Sequence, residues 1–266
     1  MSDKTQSPYV TKSVRKMSDG VWYESGENIV QEKAVTIYVN SKELATIVCS
    51  PWDLKNMAVG FLCSEGILND KSKLKSLRID EEKGLVYTEV EGFENAVSGK
   101  IFLKRYINPC CGKGRASFYY SSDALICKLV DSDLKISGQQ ILDLSKELED
   151  RSDIFKETGG VHCSGLADRS EILLFSEDIG RHNTLDKIYG KCFLEDIPTH
   201  DKIIVFSGRV SSEILLKAVK MSVSILISRS APTELALDLA ENLGVTVVGF
   251  SRDDRCTVFT HPERIL

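Results

Sequence analysis

The sequence predicts an α/β fold: an α/β domain over residues 136–266, a smaller β-rich α+β portion over 29–135, and a flexible N-terminal arm over 1–28. Three observations lead there. Four apolar runs (172–175, 202–206, 224–227 and 246–250) do not alternate with polar residues, the pattern of strands buried on both faces. Helical stretches at about 182–193, 211–221 and 232–243 fill the gaps, and strands that take turns with helices build a largely parallel sheet covered on both sides. Residues 29–107, in contrast, read as strands around a single helix.

Along the chain, residues 1–28 show only weak local preference. Val35, Ile37 and Val39 alternate, then Leu44, Thr46 and Val48, with Asn40-Ser41-Lys42 between them; this is a hairpin pattern. Ser50-Pro51-Trp52-Asp53 opens a helix, because Pro51 suits a first turn and Asp53 suits the positive end of the helix dipole. Leu54, Met57, Ala58, Phe61 and Leu62 continue it at helical spacing, and Gly66 stops it. Strand character returns at Leu77-Arg78-Ile79, Leu85-Val86-Tyr87 and Ile101-Phe102-Leu103. Ile136-Ser137 leads into a helix carrying Leu142, Leu144 and Leu148 on one side.

The composition narrows the function. Of 266 residues, 42% are hydrophobic and 27% charged, as in an ordinary globular protein. The net charge of -5 gives no electrostatic reason to expect nucleic acid or an acidic membrane as a partner. No apolar run approaches the roughly 20 residues that span a bilayer, and the polar first residues lack a signal-peptide core. A cytoplasmic location is expected. The eight cysteines lack the spacing of a disulfide framework and should be thiols in a reducing compartment.

Two of those cysteines stand apart. Asn108-Pro109-Cys110-Cys111-Gly112-Lys113-Gly114-Arg115 sets adjacent thiols in a Pro- and Gly-rich turn, which excludes helix and central strand. Lys113 and Arg115 favour the thiolate, the nucleophilic form of cysteine. The alternative is a structural turn that happens to carry cysteines. A reactive thiol is the stronger reading, with Cys111 ahead of Cys110 because Gly112 leaves its sulfur accessible.

In open α/β sheets ligands bind beyond the C-terminal ends of the strands. Four polar loops follow the predicted strands there: Ser176 to Asn183, Ser207 to Glu213, Ser228 to Thr233, and Ser251 to Arg255. Ser207-Gly208-Arg209 and Ser228-Arg229-Ser230 suit phosphate at a helix N-terminus: Gly allows close approach, Ser donates, and Arg forks onto phosphate oxygens. Some of these serines cap helices, but capping does not explain an arginine in every loop. A polyanionic small molecule does. The Walker loop and the Gly-x-Gly-x-x-Gly pattern are both missing. Asp253-Asp254 either holds the base or ribose of a nucleotide or is an exposed hairpin turn. His182, at a helix start, either acts as a neutral donor or packs and caps. Thr158-Gly159-Gly160-Val161-His162 permits a tight backbone approach, either to a ligand or within a turn leading to a strand.

Five motifs then fall in one order: Thr158-Gly-Gly-Val-His162; Glu177-Asp-Ile-Gly-Arg-His-Asn183 with Leu185-Asp-Lys187; Ser207-Gly-Arg-Val-Ser-Ser-Glu213; Ser228-Arg-Ser-Ala-Pro-Thr233; and Val248-Gly-Phe-Ser-Arg252. Together they closely resemble the formate dehydrogenase accessory sulfurtransferase family, from about residue 29 to Arg264. The resemblance implies a cytidine-deaminase-like main domain that is not a deaminase. It implies sulfur accepted from a cysteine desulfurase as a persulfide and passed to the molybdenum cofactor in its bis-guanine-dinucleotide form, as formate dehydrogenase needs. The persulfide cysteine sits on a mobile loop and matches Cys111. The cofactor is expected near Phe250, Ser251, Arg252, Asp253, Asp254 and Arg255, with Ser207, Gly208, Arg209, Ser228, Arg229 and His182 completing its site. A homodimer and no resident metal are expected. Many members carry Cys-Gly-x-Cys-Gly in the loop; here Gly114 stands in the second cysteine's place and Cys110 precedes the first.

Two rivals remain at this point. A zinc nucleotide deaminase needs His-x-Glu followed by Pro-Cys-x-x-Cys. Here Pro109-Cys110-Cys111 comes before His162, and Ser164 occupies the glutamate position. A non-catalytic chaperone of the molybdenum cofactor could use the same arginine loops, but would not need Cys111.

Overall fold

The computed structural model describes residues 7–93, 105–107 (backbone only) and 127–266. The cysteine loop with Cys110 and Cys111, and the strand expected at 101–103, lie outside the described residues.

The arm expected over 1–28 is instead an antiparallel ribbon from Tyr9 onward, β1 (Tyr9–Ser18) and β2 (Val21–Val30), paired along its whole length. Its mostly exposed residues alternate too weakly to announce strands. The first lobe follows with β3 (Lys33–Val39) and β4 (Lys42–Cys49). Asn40 and Ser41, at φ 47° and 64°, make the tight turn that left-handed backbone allows. A bulge between Ile37 and Tyr38 shifts the register. Ala45, Ile47 and Cys49 are therefore buried with Leu44 and Val48, while Thr46 meets Thr36 hydroxyl to hydroxyl at 2.9 Å. With β5 (Leu74–Asp80), β6 (Leu85–Val90) and β7 (Arg105–Ile107), these strands form a five-stranded sheet in the order β5-β6-β3-β4-β7. Helix α1 (Leu54–Ser64) packs Leu54, Met57, Ala58 and Leu62 into this lobe's core. It begins later than predicted. Asp53 precedes it in left-handed backbone with no side-chain cap, and Ser50 and Trp52 serve the junction described below.

The second lobe begins before residue 136, because Val130 already packs in its core and its N–H donates to the Leu243 carbonyl at 2.9 Å. Helix α2 (Gly138–Asp150) starts where Ser137 and Gln140 cap each other reciprocally. A short α3 (Asp153–Thr158) leads to β8 (His162–Ala167) and β9 (Ile172–Asp178). Then come α4 (Arg181–Glu195), β10 (Ile203–Phe206), α5 (Ser212–Lys220), β11 (Ile225–Ser228), α6 (Glu234–Leu243), β12 (Thr246–Arg252) and β13 (Arg255–Val258). The sheet order is β13-β12-β11-β10-β8-β9. It is mixed rather than largely parallel: β10, β11 and β12 pair in parallel, while β8 and β13 run the other way. Both faces are covered, as the unalternating strands predict. Leu166, Ile204, Leu226 and Val247 face α4, α5 and α6, and Ile203, Val205, Ile225 and Val248 face Ile141, Leu144 and Leu148 of α2.

The lobes join where α1 crosses α4. A Cβ on Gly60 would lie 1.7 Å from the Asp186 carbonyl oxygen, and one on Gly190 1.9 Å from that of Asn56, so only hydrogen fits between the two backbones. Around this contact sit buried polar groups. Asp178 accepts from the Ser50 and Gly180 amides (3.0 and 2.8 Å) and from Asn183 Nδ2 (2.8 Å), and pairs with Lys187 Nζ at 2.7 Å. Trp52 Nε1 and Lys187 Nζ both donate to the Glu177 carbonyl oxygen (3.2 and 3.1 Å). Ser64 Oγ donates to Asp186 Oδ1 at 2.6 Å, and Lys217 pairs with the same carboxylate. The Glu177 side chain is also enclosed. Burial pushes its carboxyl up to about 7, against the downward pull of the Phe155 and Ile154 amides.

Gly60→Ala or Gly190→Ala must force the helices apart, and urea unfolding should show a loss of at least about 3 kcal/mol. Gly138→Ala, where a Cβ meets nothing within 4 Å, should be neutral or stabilising by up to about 1 kcal/mol. For Glu177, the folded pKa of about 7 lies above the unfolded value of about 4.3. The protonated carboxyl therefore favours folding at low pH, and that contribution fades as pH rises from about 4.3 through 7. Glu177→Gln should gain on wild type by up to roughly 3 kcal/mol between pH 4 and 8, read from unfolding curves at both ends.

Candidate functional site at the strand ends

Strands β9, β10, β11 and β12 all point the same way, so their C-terminal ends share one rim of the sheet. Because β8 is reversed, its beginning joins them: His162 pairs with Asp178, and Ser164 with Phe206. The reversal thus brings the Thr158–His162 motif to the rim although it precedes all four strand-end loops.

A cavity of about 570 Å³ opens there, lined by Gly159, His162, Cys163, Ser207, Arg229 and Arg252 among others. A second cavity of about 330 Å³ adjoins it, lined by Leu142, Ser145, Lys146, Glu149, Arg229, Arg252 and Asp253. Glu149, Arg229 and Arg252 belong to both. Cationic side chains at a rim of strand ends can hold an anion.

Several side chains are fixed before any ligand arrives. Ser207 Oγ accepts from the Cys163 amide at 2.9 Å, and Ser152 Oγ donates to Cys163 Sγ at 3.0 Å. Burial raises the Cys163 thiol's pKa, which keeps it protonated. Burial, and then the Arg181 charge, lower that of His162, which favours neutral imidazole. Arg229 pairs with Glu149, Nη1 to Oε2, at 2.5 Å.

Of the site residues read from the sequence, Ser207, Arg229, Arg252 and Asp253 reach the cavities. Others lie elsewhere. Ser228 is buried, donating to the Gly208 carbonyl at 2.7 Å and accepting from the Ser230 amide at 3.0 Å, so Ser228 and Gly208 shape the loop. Ser251 is buried against Ser145, hydroxyl to hydroxyl at 2.6 Å. Phe250 packs on Phe259 at the surface. Arg209 is exposed and lines neither cavity. Asp253 and Asp254 form the turn between Arg252 and Arg255, with Asp253 at φ 56°, and the exposed Asp254 and Arg255 line neither cavity. His182, at the start of α4, lies 3.6 Å from Glu213 and outside both cavities. The Gly-Gly pair has a packing explanation: Gly159 ends α3 in left-handed backbone, and a Cβ on Gly160 would strike Val30 of β2 at 2.6 Å.

Sequence reasoning missed the contribution of α2. Leu142, Ser145, Lys146 and Glu149 all line the smaller cavity, and their spacing of three, four and seven residues puts them on one stripe of the helix. That stripe, beside the buried Ile141–Leu144–Leu148 row, was the signal available. Among the described residues, no group of three or more His, Cys, Asp or Glu side chains is placed to hold a metal ion, and no helix is long and apolar enough to cross a membrane.

Comparison with known proteins adds the lineage. The sequence profile of the FdhD/NarQ family matches residues 30–266. The chain is 44% identical to the sulfur carrier protein FdhD of Bacillus pumilus (strain SAFR-032), over 97% of this chain and 99% of that one. It is 46% identical to the sulfur carrier protein FdhD of Bacillus subtilis (strain 168), over 92% and 95%. A crystal structure described as a formate dehydrogenase accessory protein, from Desulfotalea psychrophila, superposes with a TM-score of 0.79 at 23% identity, covering 98% of this chain and all of that one; at that identity it shows the shared fold. On the match along nearly its whole length, this chain belongs to the FdhD/NarQ family.

Proposed function

We propose that the protein is a sulfur carrier for formate dehydrogenase maturation. Cys111 accepts sulfur from a cysteine desulfurase as a persulfide and passes it to the molybdenum cofactor in its bis-guanine-dinucleotide form, the substrate held at the strand-end cavity. The setting is the cytoplasm, and the working form is a homodimer. The observation that carries the binding half is the pair of guanidinium groups, Arg229 and Arg252, at adjoining cavities on one rim. Two pyrophosphates would match such groups, since arginine forks onto phosphate oxygens. The sulfur half rests on the full-length similarity to proteins named sulfur carriers and on the chemistry of residues 108–115. The Cys111 thiolate attacks the terminal sulfur of the donor's persulfide. The donor's S–S bond breaks, its thiolate leaves, and Cys111 holds the sulfane sulfur. A mixed sheet with helices on both faces supports a cytidine-deaminase-like main domain.

Intact-protein mass spectrometry after incubation with a cysteine desulfurase and cysteine should show a reducible gain of one sulfur in wild type and Cys110→Ala, and none in Cys111→Ala. Loss only in Cys110→Ala would move the site to that residue. No gain in any form, with the desulfurase active, would overturn the carrier in favour of a cofactor chaperone. In calorimetry with guanosine diphosphate, Arg229→Ala and Arg252→Ala should each weaken binding about tenfold or more, as expected for losing a charge-assisted contact. Arg209→Ala, outside both cavities, should not.

A further inference from the structure

Glu149 is out of place in a site for anions. It lies in the last turn of α2, where unpaired carbonyls already disfavour negative charge, and that turn contains no basic residue. It nevertheless meets Arg229 at 2.5 Å, and both residues line both cavities. The contact therefore stands on the boundary between the two compartments and occupies the guanidinium best placed to serve either.

We propose that the Glu149–Arg229 pair is a displaceable latch across a two-chambered site, so that a polyphosphate-bearing ligand binds by replacing the Glu149 carboxylate on Arg229 and joining the chambers. This rests on the reading of the rim as a phosphate site. The backbone of Arg229 is anchored, its amide donating to the Phe206 carbonyl at 3.0 Å, so the exchange needs only side-chain movement. The arginine fork accepts carboxylate and phosphate oxygens in the same geometry. The Arg229 side chain is 23% exposed and that of Glu149 is 55% exposed. Such a pair is weakly held, and a released Glu149 can rehydrate. A pyrophosphate brings more charge than one carboxylate and finds Arg252 and Lys146 along the same walls. A singly charged anion gains much less by the exchange. The latch thus selects ligands by charge and keeps Arg229 oriented until one arrives.

The test is calorimetric titration of the full-length protein with inorganic pyrophosphate, using wild type, Glu149→Gln, Arg229→Ala and the double variant. Glu149→Gln keeps the side chain's size but weakens its hold on the guanidinium. It should bind pyrophosphate about two- to fivefold tighter than wild type, the scale of a part-exposed ion pair, and the gain should vanish in the Arg229→Ala background. Unchanged or weaker binding by Glu149→Gln, with Arg229→Ala still impaired, overturns the latch and leaves the phosphate site standing. Binding that ignores Arg229→Ala, or no binding by wild type, overturns both.

Discussion

The contact of α1 with α4 through Gly60 and Gly190 sets the rest of the arrangement. With each missing Cβ replaced by a carbonyl oxygen of the other helix, neither helix can slide or rotate without a backbone clash. That fixes α4 as the shared wall of both lobes, since Tyr189, Phe193 and Leu194 pack on the first lobe's core while Leu185, Ile188 and Cys192 belong to the second. It also fixes the rim, because α4 begins three residues after β9 ends. The position of Arg181, whose charge acts on His162, follows from the same packing.

Close backbone approach leaves polar groups without water, and the junction satisfies them from both sides. Asp178 has four donors drawn from both lobes. Lys187 is 1% exposed and divides itself between that carboxylate, the Glu177 carbonyl and the ring of Trp52, 5.0 Å from its centroid. A buried pair adds little net stability over apolar packing, but removing one partner is costly. The Glu177–Asn183 motif, which looks like a ligand loop in the sequence, places Asp178 and Asn183 in this junction, with Asn183 also donating to the Val48 carbonyl at 3.1 Å. Glu177 Oε1 is buried without a hydrogen-bond partner, in keeping with the burial that raises its pKa.

Much of this was legible in the sequence because burial leaves a local trace. Unalternating runs marked β9 to β12, and helical spacing marked α4, α5 and α6. Strand β8 left little trace: His162-Cys163-Ser164-Gly165-Leu166-Ala167 is composed largely of small residues, and its reversed direction is a property of topology rather than of any window. The ribbon was hidden for the opposite reason, since most of its residues remain exposed. Arginine recurrence after every strand pointed to this rim, and proximity in space sorted its members. Arg229 and the exposed Arg252 line the cavities, while Arg209 lines neither. The α2 stripe is visible in the sequence, but only the fold shows that it lines a cavity at the strand ends.

The backbone of the second lobe also closes on itself. Ile136, just before α2, bridges Ile265, and the Ile136 amide donates to the Arg264 carbonyl at 3.0 Å. Arg264 reaches back to the Ser132 carbonyl and the Thr246 hydroxyl, at 3.2 and 3.1 Å. Ile136 and Ile265 are therefore hydrogen-bonded neighbours, although most of the second lobe's chain lies between them. A chain opened at a surface turn between them would keep this seam and the sheet order. Strain on the first lobe would reach this span through α4, through Asp178 of β9 and through Lys220 of α5, which donates to the Ser64 carbonyl.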